Sequence, residues 1–535
     1  MSSAFLGTSL ARHGRIVSML ALLSVVLTAC GELPTMLDKS EEKFGIKNNF
    51  WGADHREFHR AVLYPNGVGF RFPGYIVGIE KSRQQKVNGP RVEPELLTLP
   101  EGRPSTKIQR ALMTNPKSHL ITHVMRYSDV NDANAVFPHR IKSCAVYSLL
   151  PPSDKGDTHD AAQGMFSRCE ISGDDASAGE KFSVSGAFEQ SWIALADLKK
   201  SLEADLRTDE KSKVPPISHI FVIVMGWNTP QGEAVQNFNS IIGHMLDEVD
   251  EKRKAVHGGC GEKNKEVPEC RFRPLLIGVT WASDWELSPL LPLPPALVRA
   301  ISFPNKANDA KEVGITWLRA LIEHVVLPVR NGTSNNGGPK IVLVGHSFGA
   351  RALMASVTEN RVLNTRREAA RAVPQMLNFR KGDQFVALQG AFKIEELFVD
   401  EKELDKLHPS IANRNLRVTV TSSEFDEAVD TAFWGTYAGS AKGYDKVCAP
   451  GSTGTYGNFV DCSRARSRGS SLNYGFASCN TAFADRTPHE RLNGAPVHVF
   501  DVSEMVNCRS AFTGGGSHSD IYRREMARFL WDQLR

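Results

Sequence analysis

Ser347 sits in Gly345-His346-Ser347-Phe348-Gly349, between the strand-like run Lys340-Ile341-Val342-Leu343-Val344 and the helix-forming run Ala350-Arg351-Ala352-Leu353-Met354. Strand, sharp turn and helix is the setting in which G-x-S-x-G makes a nucleophile. A serine hydroxyl is weak until a base takes its proton. A tight turn lifts Oγ above the sheet edge and leaves one side open for that base. Glycines flank it because a side chain at either place would crowd the turn. The helix that follows points its free N–H groups at any anion forming beside the serine. A chance Gly-Ser-Gly turn would not need both flanking runs.

The base needs an orienting carboxylate. For a serine on such an elbow the chain order is Ser, then Asp or Glu, then His. Four histidines follow Ser347: His408, His489, His498 and His518. His408 precedes the strand that should carry the acid. His498 lies inside a strand run, and His489 lies in a Cys-rich insertion. His518 follows Thr513-Gly514-Gly515-Gly516-Ser517 and precedes the last helix, so its imidazole can reach back to Ser347. His346 reads as packing or pocket lining rather than as the base. The acid should follow the strand Leu416 to Thr421. Asp426, on the loop after it, is preferred over Glu424 and Asp430; any of the three could instead be a solvated charge or a helix cap. The oxyanion of acyl transfer needs two backbone N–H donors: one from Phe348, the other from the loop Met225-Gly226-Trp227-Asn228 after an earlier strand. Gly226 lets that loop bend close, and Trp227 is the expected donor, with Asn228 next.

These residues need a scaffold of parallel strands. From Pro216 onward, short apolar runs alternate with helical ones. Strands are expected at His219–Val224, Leu275–Thr280, Ile341–Val344, Phe385–Leu388, Leu416–Thr421 and Val497–Phe500. Helices are expected at Glu233–Val249, Ala307–Val326, Ala350–Val362 and Ile521–Leu534. Apolar β-branched runs between helices mean strands buried on both faces. The fold class is therefore α/β, a doubly wound, mostly parallel sheet with ligands at the carboxyl ends of its strands.

The division expected is a segment 1–29 that is removed, a polar tether 30–44, an N-terminal mixed α/β region 45–210, and the catalytic domain 211–535 with insertions 285–305 and 437–493. In region 45–210, Phe70–Glu80, His119–Tyr127 and Cys144–Leu150 look like strands, and Ser191–Leu206 has helical spacing. Residues 81–117 and 151–187 read as loops. Either insertion could be a lid over the site, and the apolar, Pro-rich 285–305 could instead be ordinary core packing or a lipid contact.

Arg12, His13 and Arg15 precede an apolar run from Ile16 to Val26, which is too short to span a bilayer comfortably. Eight cysteines follow Cys30, an even number that suits disulfides in an exported protein. Sequence neighbours could pair as 144–169, 260–270, 448–462 and 479–508, but spacing cannot fix connectivity. No C-x-x-C occurs, and no structural metal is expected. The formal net charge of +4 comes without a basic stripe, so a nucleic-acid partner is not expected.

Two resemblances add to this. Leu27-Thr28-Ala29-Cys30 resembles the lipobox of bacterial lipoproteins, which implies cleavage before Cys30 and acylation of that cysteine with chains such as palmitate. Gly31 after it implies the outer membrane, facing the periplasm. Residues 217–435 with the His518 tail resemble the bacterial α/β-hydrolase superfamily, an esterase/lipase-like branch that is itself uncharacterised. The matching pieces are Val224-Met225-Gly226-Trp227-Asn228, Thr280-Trp281-Ala282-Ser283, the Ser347 elbow, Ser423-Glu424-Phe425-Asp426-Glu427-Ala428 and Ser517-His518-Ser519. Met225 stands where that branch has histidine, and Ala282 where it has proline. The resemblance implies a serine esterase with Ser347, Asp426 and His518 as its triad, no cofactor, and a small-molecule or lipid ester as substrate. A thioesterase or amidase would use the same triad. The rival expectation is a non-catalytic envelope lipoprotein that keeps the sheet as a scaffold for partner binding.

Overall fold

The computed structural model describes residues 70–81, 118–129, 139–148, 170–171, 184–207, 216–227, 231–264, 266–281, 306–332, 338–359, 376–400, 404–412, 415–429, 436–449, 459–464, 477–479, 495–510 and 518–535, with positions 109, 112–113, 229, 283, 362–363 and 456 between them. Cys30, Asn228, Asp430, His489 and the insertion 285–305 lie outside the described residues.

Strand formation follows the apolar runs. The strands are β1 (Gly74–Lys81), β2 (His119–Asp129), β3 (His139–Val146), β4 (Glu170–Ile171), β5 (His219–Val224), β6 (Pro274–Trp281), β7 (Lys340–His346), β8 (Asp383–Leu388), β9 (Leu416–Ser422), β10 (Val460–Arg464), β11 (Ala477–Cys479), β12 (Val497–Asp501) and β13 (Cys508–Ser510). Eleven of them form one sheet in the order β10-β12-β9-β8-β7-β5-β6-β1-β2-β3-β4. Every pairing from β10 to β1 is parallel. β2 runs antiparallel to both β1 and β3, and β4 is parallel to β3. All six residues of β5 and all eight of β6 are buried, as central parallel strands covered on both faces require.

The covering helices are α1 (Val184–Leu206), α2 (Gln231–Ala255), α3 (306–332), α4 (Phe348–Thr358), α5 (Ala441–Cys448) and α6 (Arg524–Leu534). The period of two in β5 sorts them. Ile220 and Val222 join one core with Leu198 of α1, Trp317 of α3 and Leu353 of α4. Phe221 and Ile223 join the other core with Phe238 of α2 and Trp531 of α6. At about 25 cal/mol per Å² of apolar area removed from water, each fully buried large side chain here contributes roughly 1.5–3 kcal/mol. The expected α/β architecture with a mostly parallel, doubly wound sheet is what forms.

Several local expectations change. The helix after Ser347 ends at Thr358 rather than near Val362. The last helix starts at Arg524 after a short 3-10 turn, Asp520–Tyr522. Val497–Asp501 is followed by another strand, β13, paired with β11. β4 and the first turn of α1 fall in the stretch read as loop. The strands of region 45–210 extend the same sheet, because β1 pairs directly with β6. Part of the insertion 437–493 is likewise structural: α5 packs on the sheet and β10 is its edge strand. Two disulfides join sequence neighbours, Cys260–Cys270 and Cys448–Cys462. Cys144 and Cys508 are also disulfide-bonded, and Cys508 faces Cys479 across the β11/β13 ladder. Among the described residues, no helix is long and apolar enough to cross a membrane.

The topology marks one crevice. β5 leads into α2 on one face of the sheet, while its neighbour β7 leads into α4 on the other. The carboxyl ends of β5 and β7 are thus the switch point where open α/β sheets take their ligands.

Candidate active site

Ser347 occupies that switch point. It links β7 to α4 with φ 54° and ψ −121°, a positive-φ conformation that costs a non-glycine residue about 1–3 kcal/mol. Its surroundings force the turn. A Cβ on Gly345 would lie 2.4 Å from Ala350 Cα, and one on Gly349 would lie 2.1 Å from the Val224 carbonyl oxygen. Both glycines are therefore needed sterically, as the sequence suggests. The Ser347 N–H donates to the Leu388 carbonyl at 3.0 Å, and the Ser347 carbonyl accepts from Ala391 N–H at 3.2 Å. The end of β8 thereby locks the elbow from its other side.

The residues expected as acid and base come from two distant segments. His518 Nδ1 lies 2.8 Å from Asp426 Oδ2. A carboxylate can only accept, so Nδ1 carries a hydrogen, and in the neutral tautomer this fixes, the lone pair is on Nε2. Asp426 is 1% exposed. Its second oxygen, Oδ1, accepts from Ala428 N–H at 3.1 Å and Val429 N–H at 3.3 Å, so the carboxylate is held on both sides. The residue before Ser347 reaches the backbone of His518: His346 Nε2 is 3.0 Å from the His518 carbonyl oxygen, with the two rings 4.5 Å apart. Burial holds the His346 imidazole well below the ordinary histidine value, and the neighbouring His518 adds to the effect. Among the described residues, Ser347 Oγ makes no hydrogen bond to His518; such contacts commonly tighten only in the substrate complex.

The stretch after β12 ties the Asp426 and His518 segments together. Val502 N–H donates to the Ser422 carbonyl at 2.8 Å. Ser423 Oγ donates to the Val506 carbonyl at 2.7 Å, and Glu424 N–H to Ser503 Oγ at 3.0 Å. From the other side, Asn507 and Cys508 N–H donate to Asp520 Oδ2 at 2.9 and 2.8 Å. Residues 502–508 therefore bridge the Asp426 loop and the His518 turn.

The loop 225–227 closes over the elbow. A Cβ on Gly226 would lie 2.6 Å from Ser347 Cβ and 3.3 Å from its Oγ, the closeness expected of that loop. The Trp227 and Phe348 rings are 6.3 Å apart. Trp281 Nε1–H donates to the Met225 carbonyl at 2.9 Å and steadies the loop.

The rejected candidates lie elsewhere. His498 is in β12, with Nδ1 3.6 Å from Asp461 Oδ2 in neighbouring β10. His408 is half-buried, and desolvation with nearby Arg319 lowers its pKa to about 4. Glu424 is exposed. His119, Asp309 and Glu312 could in principle hold a cation, their ligand atoms lying within 4.8 Å of one another. Their charges already face partners: His119 Nδ1 is 3.0 Å from Glu312 Oε1, and Lys306 Nζ is 3.6 Å from Asp309 Oδ2. Sequence reasoning missed Asp520 and Tyr522 altogether and read His346 as packing or pocket lining. Asp520 looks like an ordinary first-turn acid, and nothing local marks its long-range partners.

No protein-family model matches the chain, and no curated protein is similar enough to match it.

Proposed function

We propose that this protein is a serine hydrolase of carboxylic esters with an α/β-hydrolase fold, anchored by an acylated Cys30 to the bacterial envelope. The observation that carries the catalytic reading is the Asp426–His518 pair at 2.8 Å, tied through His346 to the strained serine. Ser347 Oγ attacks the ester carbonyl as His518 Nε2 takes its proton. Asp426 keeps Nδ1 protonated and stabilises the imidazolium. The N–H groups of Phe348 and Trp227 receive the oxyanion; losing one such donor costs roughly 3–4 kcal/mol of barrier. His518 then protonates the leaving alkoxide, the tetrahedral intermediate collapses to an acyl-enzyme, and water activated by His518 releases the acid. Each proton taken is returned, and no cofactor is required.

The anchoring part rests on Leu27-Thr28-Ala29-Cys30 and on the short apolar run before it. Two or more acyl chains hold a protein stably, since each buried CH₂ contributes about 0.8 kcal/mol. The outer membrane, facing the periplasm, is the location proposed from Gly31. Lipidic esters within reach of that surface are the substrates proposed.

The test is covalent labelling with a fluorophosphonate probe of the protein purified in mild detergent, beside Ser347→Ala. Labelling of the parent alone supports the reading. An unlabelled parent that is folded and disulfide-intact sinks it and leaves the scaffold function, to be pursued by pull-down from envelope fractions.

A further inference from the structure

His518 is held at two places. Asp426 fixes its ring, and its backbone is fixed by another residue. The carbonyl oxygen of His518 lies 3.0 Å from His346 Nε2. A carbonyl can only accept, so Nε2 must carry the proton. The other ring nitrogen of His346, Nδ1, lies 3.3 Å from the Tyr522 hydroxyl. Burial raises the Tyr522 pKa, so the phenol keeps its proton and can donate it. The same hydroxyl is 3.5 Å from Met225 Sδ on the loop that covers the elbow. His346 itself is 3% exposed and is the last residue of β7, so its ring is carried by a rigid element. One side chain, adjacent in sequence to the nucleophile, thus grips both ends of the five-residue turn from His518 to Tyr522.

We propose that His346 is a positioning residue for the base: its Nε2–H holds the His518 carbonyl, its Nδ1 receives the Tyr522 hydroxyl, and the base-bearing turn is thereby set against the elbow. The bracket matters because the stretch before His518, Thr513-Gly514-Gly515-Gly516-Ser517, has the composition of a permissive loop. Fixing the turn from the nucleophile's own strand makes the serine-to-base distance insensitive to that loop. A site 1 Å too loose can lose on the order of 100-fold in rate. This inference rests on the reading of His518 as the base.

The experiment compares the full chain with His346→Leu, which removes both hydrogen bonds, and with His346→Gln. The glutamine amide can donate to the carbonyl, and its oxygen can accept from Tyr522. Two quantities are read: the rate constant of fluorophosphonate labelling, and amide hydrogen exchange across residues 518–523. His346→Leu is expected to label at least tenfold more slowly and to exchange faster at 518–523, with a melting temperature within a few degrees of the parent. His346→Gln is expected to bring both readouts back to within about threefold of the parent. Parent-like exchange in His346→Leu overturns the proposal, as does a folded His346→Gln that is as loose as the leucine variant. Should His346→Leu not fold, Tyr522→Phe replaces it, with a two- to fivefold slower labelling and a partial rise in exchange; an unchanged exchange there overturns the proposal. A parent that labels no faster than His518→Ala removes the base assignment instead, and the exchange readout still decides whether His346 holds the turn.

Discussion

Two histidine–aspartate pairs in this molecule are built from the same side chains and differ in what surrounds them. Asp426 and Asp461 are each 1% exposed, and each faces the Nδ1 of a histidine. Asp461 and His498 sit opposite one another in the β10/β12 ladder, 3.6 Å apart. Their register places them early in their strands, away from the carboxyl edge of the sheet. Asp426 and His518 come from connecting segments at that edge, 2.8 Å apart, beside the residue that precedes a strained serine. On the proposed reading only the pair at the carboxyl edge takes part in catalysis, because only there is the histidine carried on a turn beside Ser347, while the pair inside the ladder serves the fold.

The sharpest way to break this comparison is to disable each pair separately. Asp426→Asn should lower turnover of an ester substrate about 10⁴-fold, since an amide no longer enforces the Nδ1–H tautomer. His518→Ala should lose at least as much. Asp461→Asn and His498→Ala should leave turnover within threefold and appear instead in the melting temperature. Activity lost from folded His498→Ala and kept in His518→Ala would reverse the assignment.

A second prediction concerns the close approach over the elbow. Gly226→Ala would place its Cβ 2.6 Å from Ser347 Cβ. Either the loop or the serine must move, and the proposed oxyanion donors move with them. Turnover should fall roughly 10²–10³-fold, the cost of one lost donor, with the Asp426–His518 pair intact. Retention of full activity in Gly226→Ala would show that the 225–227 loop takes no part.

What could be read from the sequence follows from how local each signal is. The elbow was legible because its steric demands fall on Gly345 and Gly349, within two residues of Ser347. The parallel strands were legible because burial on both faces leaves an apolar run without alternation. Asp426 and His518 could be ranked by chain order and by exclusion from strands. The N-terminal strands were visible as runs, yet their place was not: β1 pairs with β6 from 200 residues away, by the register Gly74↔Leu276, and no residue nearby encodes a parallel partner. Asp520 and Tyr522, and the partners of His346, were missed for the same reason. Their partners are carbonyls, amides and a hydroxyl brought together only by the finished sheet.

The smallest effect predicted separates two carboxylates that hold the His518–Tyr522 turn, buried Asp426 and half-buried Asp520. Asp426 accepts two backbone N–H groups on Oδ1 and the His518 ring on Oδ2. Asp520 accepts two backbone N–H groups on a single oxygen, with Arg523 2.8 Å away. Desolvation outweighs these partners, aided by the charge of Glu525, and raises the Asp520 pKa from 3.8 to about 6. The folded value lies above the unfolded one, so the associated stability is fully present below about pH 4. It is lost as the pH rises through about 6, amounting at most to about 3 kcal/mol at 1.36 kcal/mol per pKa unit. Asp520→Asn keeps an oxygen for the Asn507 and Cys508 amides and removes the titration. Its stability measured by urea unfolding should therefore fall less between pH 4 and pH 7 than the parent's, or rise more, by up to that amount. Labelling by a fluorophosphonate should change by less than threefold, because His346 and Asp426 still hold His518. Parallel pH profiles of the two proteins would mean that the Arg523 ion pair and the two amides offset the desolvation of Asp520, so that its carboxyl titrates alike in the folded and unfolded chains.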